Sequence, residues 1–365
     1  MQRPLTAYER WFEKEGIPVL TGYAVDDILA ASLKPWARLG GKGAYINLAA
    51  FEGVTGAYIV EIPPGGELSP EKHIFEEILC VLEGQGATEI WQENGAKNFF
   101  EWQHGSLFSP PLNTWHKLIN GSSQRAVLLA ATTAPLVMDQ FHNEDFIFNN
   151  PFCFADRYAG EEDYFTRKGE REYNGFQWVW ETNFVSDVRT VELNPGEKKV
   201  SKGHLTIIEP SKNVFIAHLA DWPSGRYHKA HYHSAGAILL IIKGKGYTLM
   251  WPKDLGIHPY ASGYSDQIVR IDWKEGTLFC PPDGWFHQHF NTGRAPARQL
   301  ALRYGSRRQL LLRELARKGG EMEGVVVSVK EGGTLIEYED EDPEIRKAYA
   351  EEIKKSGIES TMPKF

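Results

Sequence analysis

The stretch GRYHKAHYHSAGAILLIIKGKG, residues 225–246, places three histidines within six residues, ahead of an apolar run. His231 and His233 are one residue apart, so on a β-strand both side chains face the same way. Imidazoles buried side by side need partners, because an unsatisfied polar group in an interior is costly. The stretch has a sister. In PPGGELSPEKHIFEEILCVLEGQGATEIW (63–91), Pro63, Gly65, His73, Gly84, Gly86 and Trp91 fall on Pro223, Gly225, His233, Gly244, Gly246 and Trp251, each 160 positions later. A second block, HGSLFSPPLNTWHKLINGS (104–122), repeats as EGTLFCPPDGWFHQHFNTG (275–293). There Gly105, Pro111, His116 and Asn120 fall on Gly276, Pro282, His287 and Asn291, 171 positions later. The extra residues enter between the two blocks, within PKDLGIHPYASGYSDQIVRIDWK, where a longer hairpin tip is tolerated.

Around these blocks run short segments rich in Val, Ile, Leu, Phe, Tyr and Thr, punctuated by Gly and Pro, which predict strands. YIVEI, ILCVLEG, TEIWQ, SLFSPP, HKLIN and AVLLAATT form the first set; VFIAHL, AILLIIKG, YTLMW, TLFCPP, FHQHFN and RQLALRYG form the second. Many short strands at this spacing predict an all-β protein of closed sandwiches or barrels. Helical pattern is sparse: PLTAYERWFEKEG, RRQLLLRELARKGG and the tail DPEIRKAYAEEIKKSG, which reads as charged all round and so as a surface or intersubunit helix. The expected organisation is an N-terminal unit over 1–145 and an aromatic-rich linker over 146–190. A C-terminal unit over 191–310 and a helical extension over 311–365 follow. The linker's aromatics are expected to seal a barrel mouth or to form a lid.

A net charge of -8 argues against a nucleic-acid binder or a polybasic membrane protein. No apolar run approaches the roughly 18 residues that span a bilayer, and the N-terminus lacks an apolar signal core. A cytoplasmic location is the expectation. Cys80, Cys153 and Cys280 show no metal spacing and read as reduced, mostly buried thiols.

The paired blocks resemble the cupin superfamily, whose first motif is similar to G(x)5HxH(x)3–4E(x)6G and whose second is similar to G(x)5PxG(x)2H(x)3N. Gly225, His231, His233 and Gly244 fit the first. Gly276, Pro282, Gly284, His287 and Asn291 fit the second in full. The N-terminal copy keeps Gly105, Pro111, His116 and Asn120 but has Asn113 for glycine. Its first motif has Glu71 where a histidine belongs, followed by His73, Glu77 and Gly84. Two motif pairs in tandem imply a bicupin: two double-stranded β-helix (jelly-roll) barrels with a few peripheral helices, over roughly 40–135 and 200–305.

The resemblance implies a metal site. His231, His233 and His287 would leave open positions on a divalent ion, and imidazole suits Fe, Zn, Ni and Mn alike. The glutamate that many cupins add is Ala237 here. His289, two residues after His287, is either a further ligand or an acid/base group. Tyr227, on the approach to His231, and Arg303, suited to a substrate carboxylate, complete the expected catalytic set. In the first copy Glu71, His73, Glu77 and His116 occupy four ligand positions. They form either a second metal site or a barrel kept for packing. Trp115, Trp285 and Phe286, beside the motif histidines, are either an apolar wall or core.

The three-histidine set resembles the iron centres of gentisate dioxygenases and cysteine dioxygenases. The expectation is an Fe(II) dioxygenase that takes a small hydroxylated aromatic acid and O2, in a homodimer. The alternatives are a Mn, Ni or Zn decarboxylase, isomerase or hydrolase, or a metal-containing binding protein.

Overall fold

A computed structural model describes residues 3–93, 95–174, 177–195, 203–233, 236–306 and 327–363. The chain forms two barrels, each a large sheet facing a three-stranded one. In the N-terminal barrel the strands Gly56–Ile62, Ala126–Thr132 and Glu77–Glu83 lie side by side. Trp115–Ile119, Gln85–Trp91 and Asn98–Gln103 close the other face. The C-terminal barrel repeats this with Phe215–Trp222, Ala297–Tyr304 and Ile238–Lys243 against Val269–Lys274, Lys245–Pro252 and Trp285–Asn291.

The motif residues other than histidine are there for the backbone. Asn120 and Asn291 each donate an amide hydrogen across the barrel, to Ile62 O (3.1 Å) and Trp222 O (2.9 Å), closing the turn between strands. Position 284 has φ +64°, which glycine adopts freely, and its counterpart Asn113 has φ +54°. Asparagine is among the few residues that visit this region at modest cost. Asn113 is held there by donating to Asn150 O (2.9 Å) and Phe152 O (2.7 Å).

Strand alternation puts one set of apolar residues between the barrels and other sets on the opposite faces. Ile59, Cys80, Leu107 and Leu129 of the first barrel pack on Leu219, Leu240, Cys280 and Leu300 of the second, so the two large sheets stack back to back. The opposite faces line the two barrel interiors. The free thiols Cys80 and Cys280 sit in the shared core, whereas Cys153 is exposed.

Each barrel also borrows a strand. Ala24–Val25, ahead of the first barrel, pairs with Leu278–Phe279 of the second. Phe184–Val185, ahead of the second, pairs with Leu107–Phe108 of the first. The two arms are themselves 160 positions apart, so the repeat reaches back to residue 24. The backbone contacts agree: Ile28 N donates to Gly276 O (3.0 Å), and Val188 N donates to Gly105 O (2.7 Å).

Two sequence expectations need revising. The linker carries strands at Glu170–Tyr173 and Trp178–Glu181 that extend the second large sheet, as well as the arm. Glu170–Tyr173 is an edge strand exposed along most of its length, so it has no apolar alternation to announce it. The tail helix Pro343–Lys355 is not charged all round. Ile345, Tyr349 and Ile353 recur every four residues, are buried against the second barrel, and Tyr349 donates its hydroxyl to Asn291 O (2.9 Å). The helix expected at RRQLLLRELARKGG lies outside the described residues. Among the described residues no helix is long and apolar enough to cross a membrane.

Candidate metal centres

The segment carrying His231 runs antiparallel to Trp285–Asn291, with His287 N donating to His231 O (2.9 Å). His231, His233 and His287 converge, their ligand nitrogens within 4.8 Å of one another. The Nδ1 of His231 lies 3.0 Å from Lys229 O, and that of His287 lies 3.2 Å from Trp285 O. A carbonyl can only accept, so each Nδ1 carries the proton and each Nε2 lone pair is left for the centre. Burial, the main cause, holds His231 and His287 below the ordinary imidazole range. They are therefore neutral at pH 7, the form that binds metal. Donor type, tautomer and spacing all suit a divalent first-row ion.

The N-terminal barrel builds its own cluster from His73, Glu77 and His116, again within 4.8 Å. Its imidazoles are turned the same way, His73 Nδ1 to Phe75 O (2.8 Å) and His116 Nδ1 to Thr114 O (3.1 Å). Glu77 is buried, accepts from the Tyr58 hydroxyl (2.6 Å), and holds its second oxygen 3.7 Å from both Nε2 atoms. That oxygen and His73 Nε2 lack a hydrogen-bond partner, as atoms reserved for an ion would. Glu71 is at the edge of this cluster. One of its oxygens pairs with Arg38, which also pairs with Glu15 (2.9 Å) and lies 5.1 Å from the ring centres of Trp11 and Trp36. Glu71 reaches only to 4.0 Å of His116 Nε2.

The expected catalytic residues divide. His289 lies in a layer behind the ligands. Its ring is stacked on Trp222 (4.9 Å, 10°), 5.5 Å from the His287 ring, and its Nδ1 is 2.8 Å from the Thr248 hydroxyl. Arg303 is close enough for its charge to depress His231 and His218. Tyr227 does not face the centre. It pairs with the outward-facing Phe290, packs on Tyr338 and Tyr349, and donates its hydroxyl to Glu341. The inward residue is its neighbour His228, 6.0 Å from His231 between ring centres. Phe286 likewise packs outside the barrel, under the tail, and Trp115 stacks on Trp91. Trp285 sits near Tyr23, 5.9 Å away.

Three lumen residues, His218, Trp222 and Gln299, were not among the expected site residues. With His228 and the expected His289 they surround the space behind the C-terminal cluster. At the matching positions the N-terminal barrel has Tyr58, Ile62, Leu68, Leu118 and Leu128. At these five positions the C-terminal interior is the more polar of the two. In the polar one His218 Nε2, both His228 nitrogens, Trp222 Nε1 and Gln299 Oε1 have no hydrogen-bond partner among the described residues. A residue-by-residue comparison of the two copies at offsets of 160 and 171 contains this signal.

These imidazoles make the fold acid-labile. Burial first, then neighbouring positive groups, lowers both His218 and His228 to about 3. In the unfolded chain they titrate near about 6.5. Between those values the unfolded chain binds more protons, so stability falls as pH falls, by at most about 1.4 kcal/mol per pH unit per group. Above about 6.5 neither group contributes. In metal-free protein, the His218→Tyr/His228→Leu double variant is expected to flatten the stability–pH slope between pH 6.5 and 4, measured by urea unfolding. An unchanged slope would assign the acid lability elsewhere.

No protein-family model matches the sequence, and no curated protein matches it. Solved structures are similar at low identity. Vicilin from hazelnut (Corylus avellana) is 12% identical, with a TM-score of 0.47 over 77% of this chain and 85% of that one. A mutant oxalate decarboxylase of Bacillus subtilis is 14% identical, with a TM-score of 0.47 over 83% and 85%. The oxalate decarboxylase of Lactobacillus farciminis, in a formate complex, is 12% identical, with a TM-score of 0.47 over 85% and 95%.

Proposed function

We propose that the chain is a metal-dependent enzyme whose reactive centre is in the C-terminal barrel. Its substrate is a small polar molecule, and its chemistry is proton transfer or bond cleavage without net oxidation. The observation that carries this reading is the polar lumen behind His231, His233 and His287. Its unpartnered donors and acceptors are expensive unless a ligand meets them. A divalent ion held by three neutral imidazoles would act as a Lewis acid on a bound oxygen. His228 and His289, both neutral and buried next to the ligands, are placed to accept or return a proton. The same lumen supports an aromatic substrate less well, because a flat ring would bury apolar edge against imidazoles and an amide.

The Fe(II) dioxygenase reading is the competitor, and one measurement separates the two. The protein is loaded in turn with Mn(II), Fe(II), Ni(II) and Zn(II) and offered small hydroxy-, oxo- and dicarboxylic acids. Substrate loss is followed by NMR beside an oxygen electrode. The expected result is turnover without stoichiometric oxygen uptake. Turnover of a hydroxylated aromatic acid with one O2 consumed per substrate would replace this reading by the dioxygenase.

A further inference from the structure

In each barrel the two segments that bring the histidines together are also tied on their outward faces. The tie falls at matching positions but is made by different means. In the N-terminal barrel Lys117 Nζ donates directly to Glu67 Oε2 (3.1 Å). Glu67 is more than half exposed, so this is a surface ion pair of small worth. The matching residues of the C-terminal barrel are Tyr227, 160 positions on, and Gln288, 171 positions on. Both are buried, and a third buried residue, Glu341 of the tail, joins them. Its carboxylate accepts from the Tyr227 hydroxyl, from Gln288 Nε2 (3.2 Å) and from Arg346 Nε (2.9 Å).

Gln288 stands between His287 and His289, and Tyr227 precedes His228. Glu341 therefore grips both histidine-bearing segments from behind. Gln288 Nε2 also donates to His228 O (2.9 Å). A carboxylate and a carbonyl only accept, so the amide must turn its nitrogen to both, and one side chain holds the two segments together. The tail adds backbone bonds. Tyr232 N donates to Thr334 O (3.2 Å), Ile336 N to Ala230 O (2.8 Å) and the Tyr338 hydroxyl to Tyr227 O (2.7 Å). His231 thus lies on the middle one of three adjacent stretches, paired with His287 on one side and Leu335 on the other.

We propose that Glu341 is a positioning residue of the C-terminal metal centre. It sets the spacing between the segment of His231 and the strand of His287, so the tail belongs to that centre. The inference rests on the C-terminal barrel holding the ion. Glu341 acts through Tyr227 and Gln288 and touches neither ion nor substrate. A buried carboxylate with three donors is a rigid anchor, because moving it leaves each donor unpaired.

The test uses full-length protein carrying His116→Ala, so that Mn(II) is confined to the C-terminal barrel. Affinity is read from the free Mn(II) signal in electron paramagnetic resonance. Glu341→Ala is expected to weaken binding by about tenfold or more, as loss of groups behind a ligand does. Glu341→Gln still accepts from Tyr227 and Arg346 and should recover most of that loss. Tyr349→Phe is the control. It removes another buried hydrogen bond of the tail, to Asn291 O, which shares no partner with Glu341. Affinity there should stay within about twofold of the parent. Hydrogen exchange at the His231 and His287 amides should quicken in Glu341→Ala and not in Tyr349→Phe. If Glu341→Ala does not fold, Tyr227→Phe carries the test, with an expected loss of about threefold for one hydrogen bond. Unchanged affinity in the folded variant, or an equal loss in Tyr349→Phe, overturns the positioning role and leaves the metal centre standing. Mn(II) binding that survives His287→Ala added to His116→Ala overturns the metal centre, and the positioning role with it.

Discussion

His287→Ala should strip the C-terminal barrel of its ion and with it all turnover, whereas His116→Ala should leave most turnover in place. Three imidazoles with no carboxylate are a minimal ligand set. Removing His287 leaves two, drawn from the single segment that carries His231 and His233. Loss of groups that merely orient a ligand costs about 10–100-fold in metal affinity, so loss of the ligand itself should exceed about a hundredfold. Metal content by mass spectrometry should fall by one equivalent per chain. The thermal stabilisation given by excess metal, about 2.7 kcal/mol at a hundred times the dissociation constant, should vanish for that barrel. The opposite pattern, with turnover lost in His116→Ala and kept in His287→Ala, would transfer the chemistry to the N-terminal cluster of His73, Glu77 and His116.

The second large effect is expected at the joint between the two barrels. Glu76, next to Glu77, turns out of the first barrel and accepts from Val214 N (2.9 Å), Phe215 N (2.9 Å) and Arg157 Nη1 (2.9 Å). Phe215 starts the strand that carries His218 and Val214 precedes it, so this carboxylate fastens the strand of Glu77 in one barrel to the strand of His218 in the other. Glu76→Ala would leave two backbone donors and a largely buried guanidinium without their acceptor. Breaking a buried ion pair by removing one partner costs about 3–5 kcal/mol. A loss of that size is expected in urea unfolding, with the two barrels separating into distinct transitions. Glu76→Gln keeps an acceptor for the backbone and should cost about 1–2 kcal/mol. A Glu76→Ala protein within about 1 kcal/mol of wild type would show that the joint is held by the apolar core alone.

The barrels were legible because their constraints are local. Glycines that turn or approach a neighbouring strand, histidines alternating on a strand, and an asparagine closing a turn all leave fixed spacings. Gly246 shows the force of this: a Cβ there would lie 1.9 Å from Phe290 O. The clustered histidines inherit the same regularity. What stayed hidden depends on partners distant in sequence. Nothing near Glu71 in the sequence announces Arg38, 33 residues away, which pairs with one of its carboxylate oxygens. Tyr227 looks inward by simple alternation, but its pairing with Phe290 turns it out and its neighbour His228 in. The linker strands Glu170–Tyr173 and Trp178–Glu181 are four residues each, too short to show a period. The tail's apolar stripe was present in the sequence, hidden among its charges.

The exchanged arms bear on how such a molecule can change over time. Two units that each lend a strand to the other are self-complementary, as the halves of a twofold-symmetric dimer are. In separate copies of one chain, every substitution would strike both halves at once, so neither could lose a carboxylate or gain an arginine alone. Joined in one polypeptide, the halves keep their mutual grip while their interiors vary independently. One lumen could therefore stay apolar and supportive while the other became polar, and each half remains the scaffold on which the other is completed.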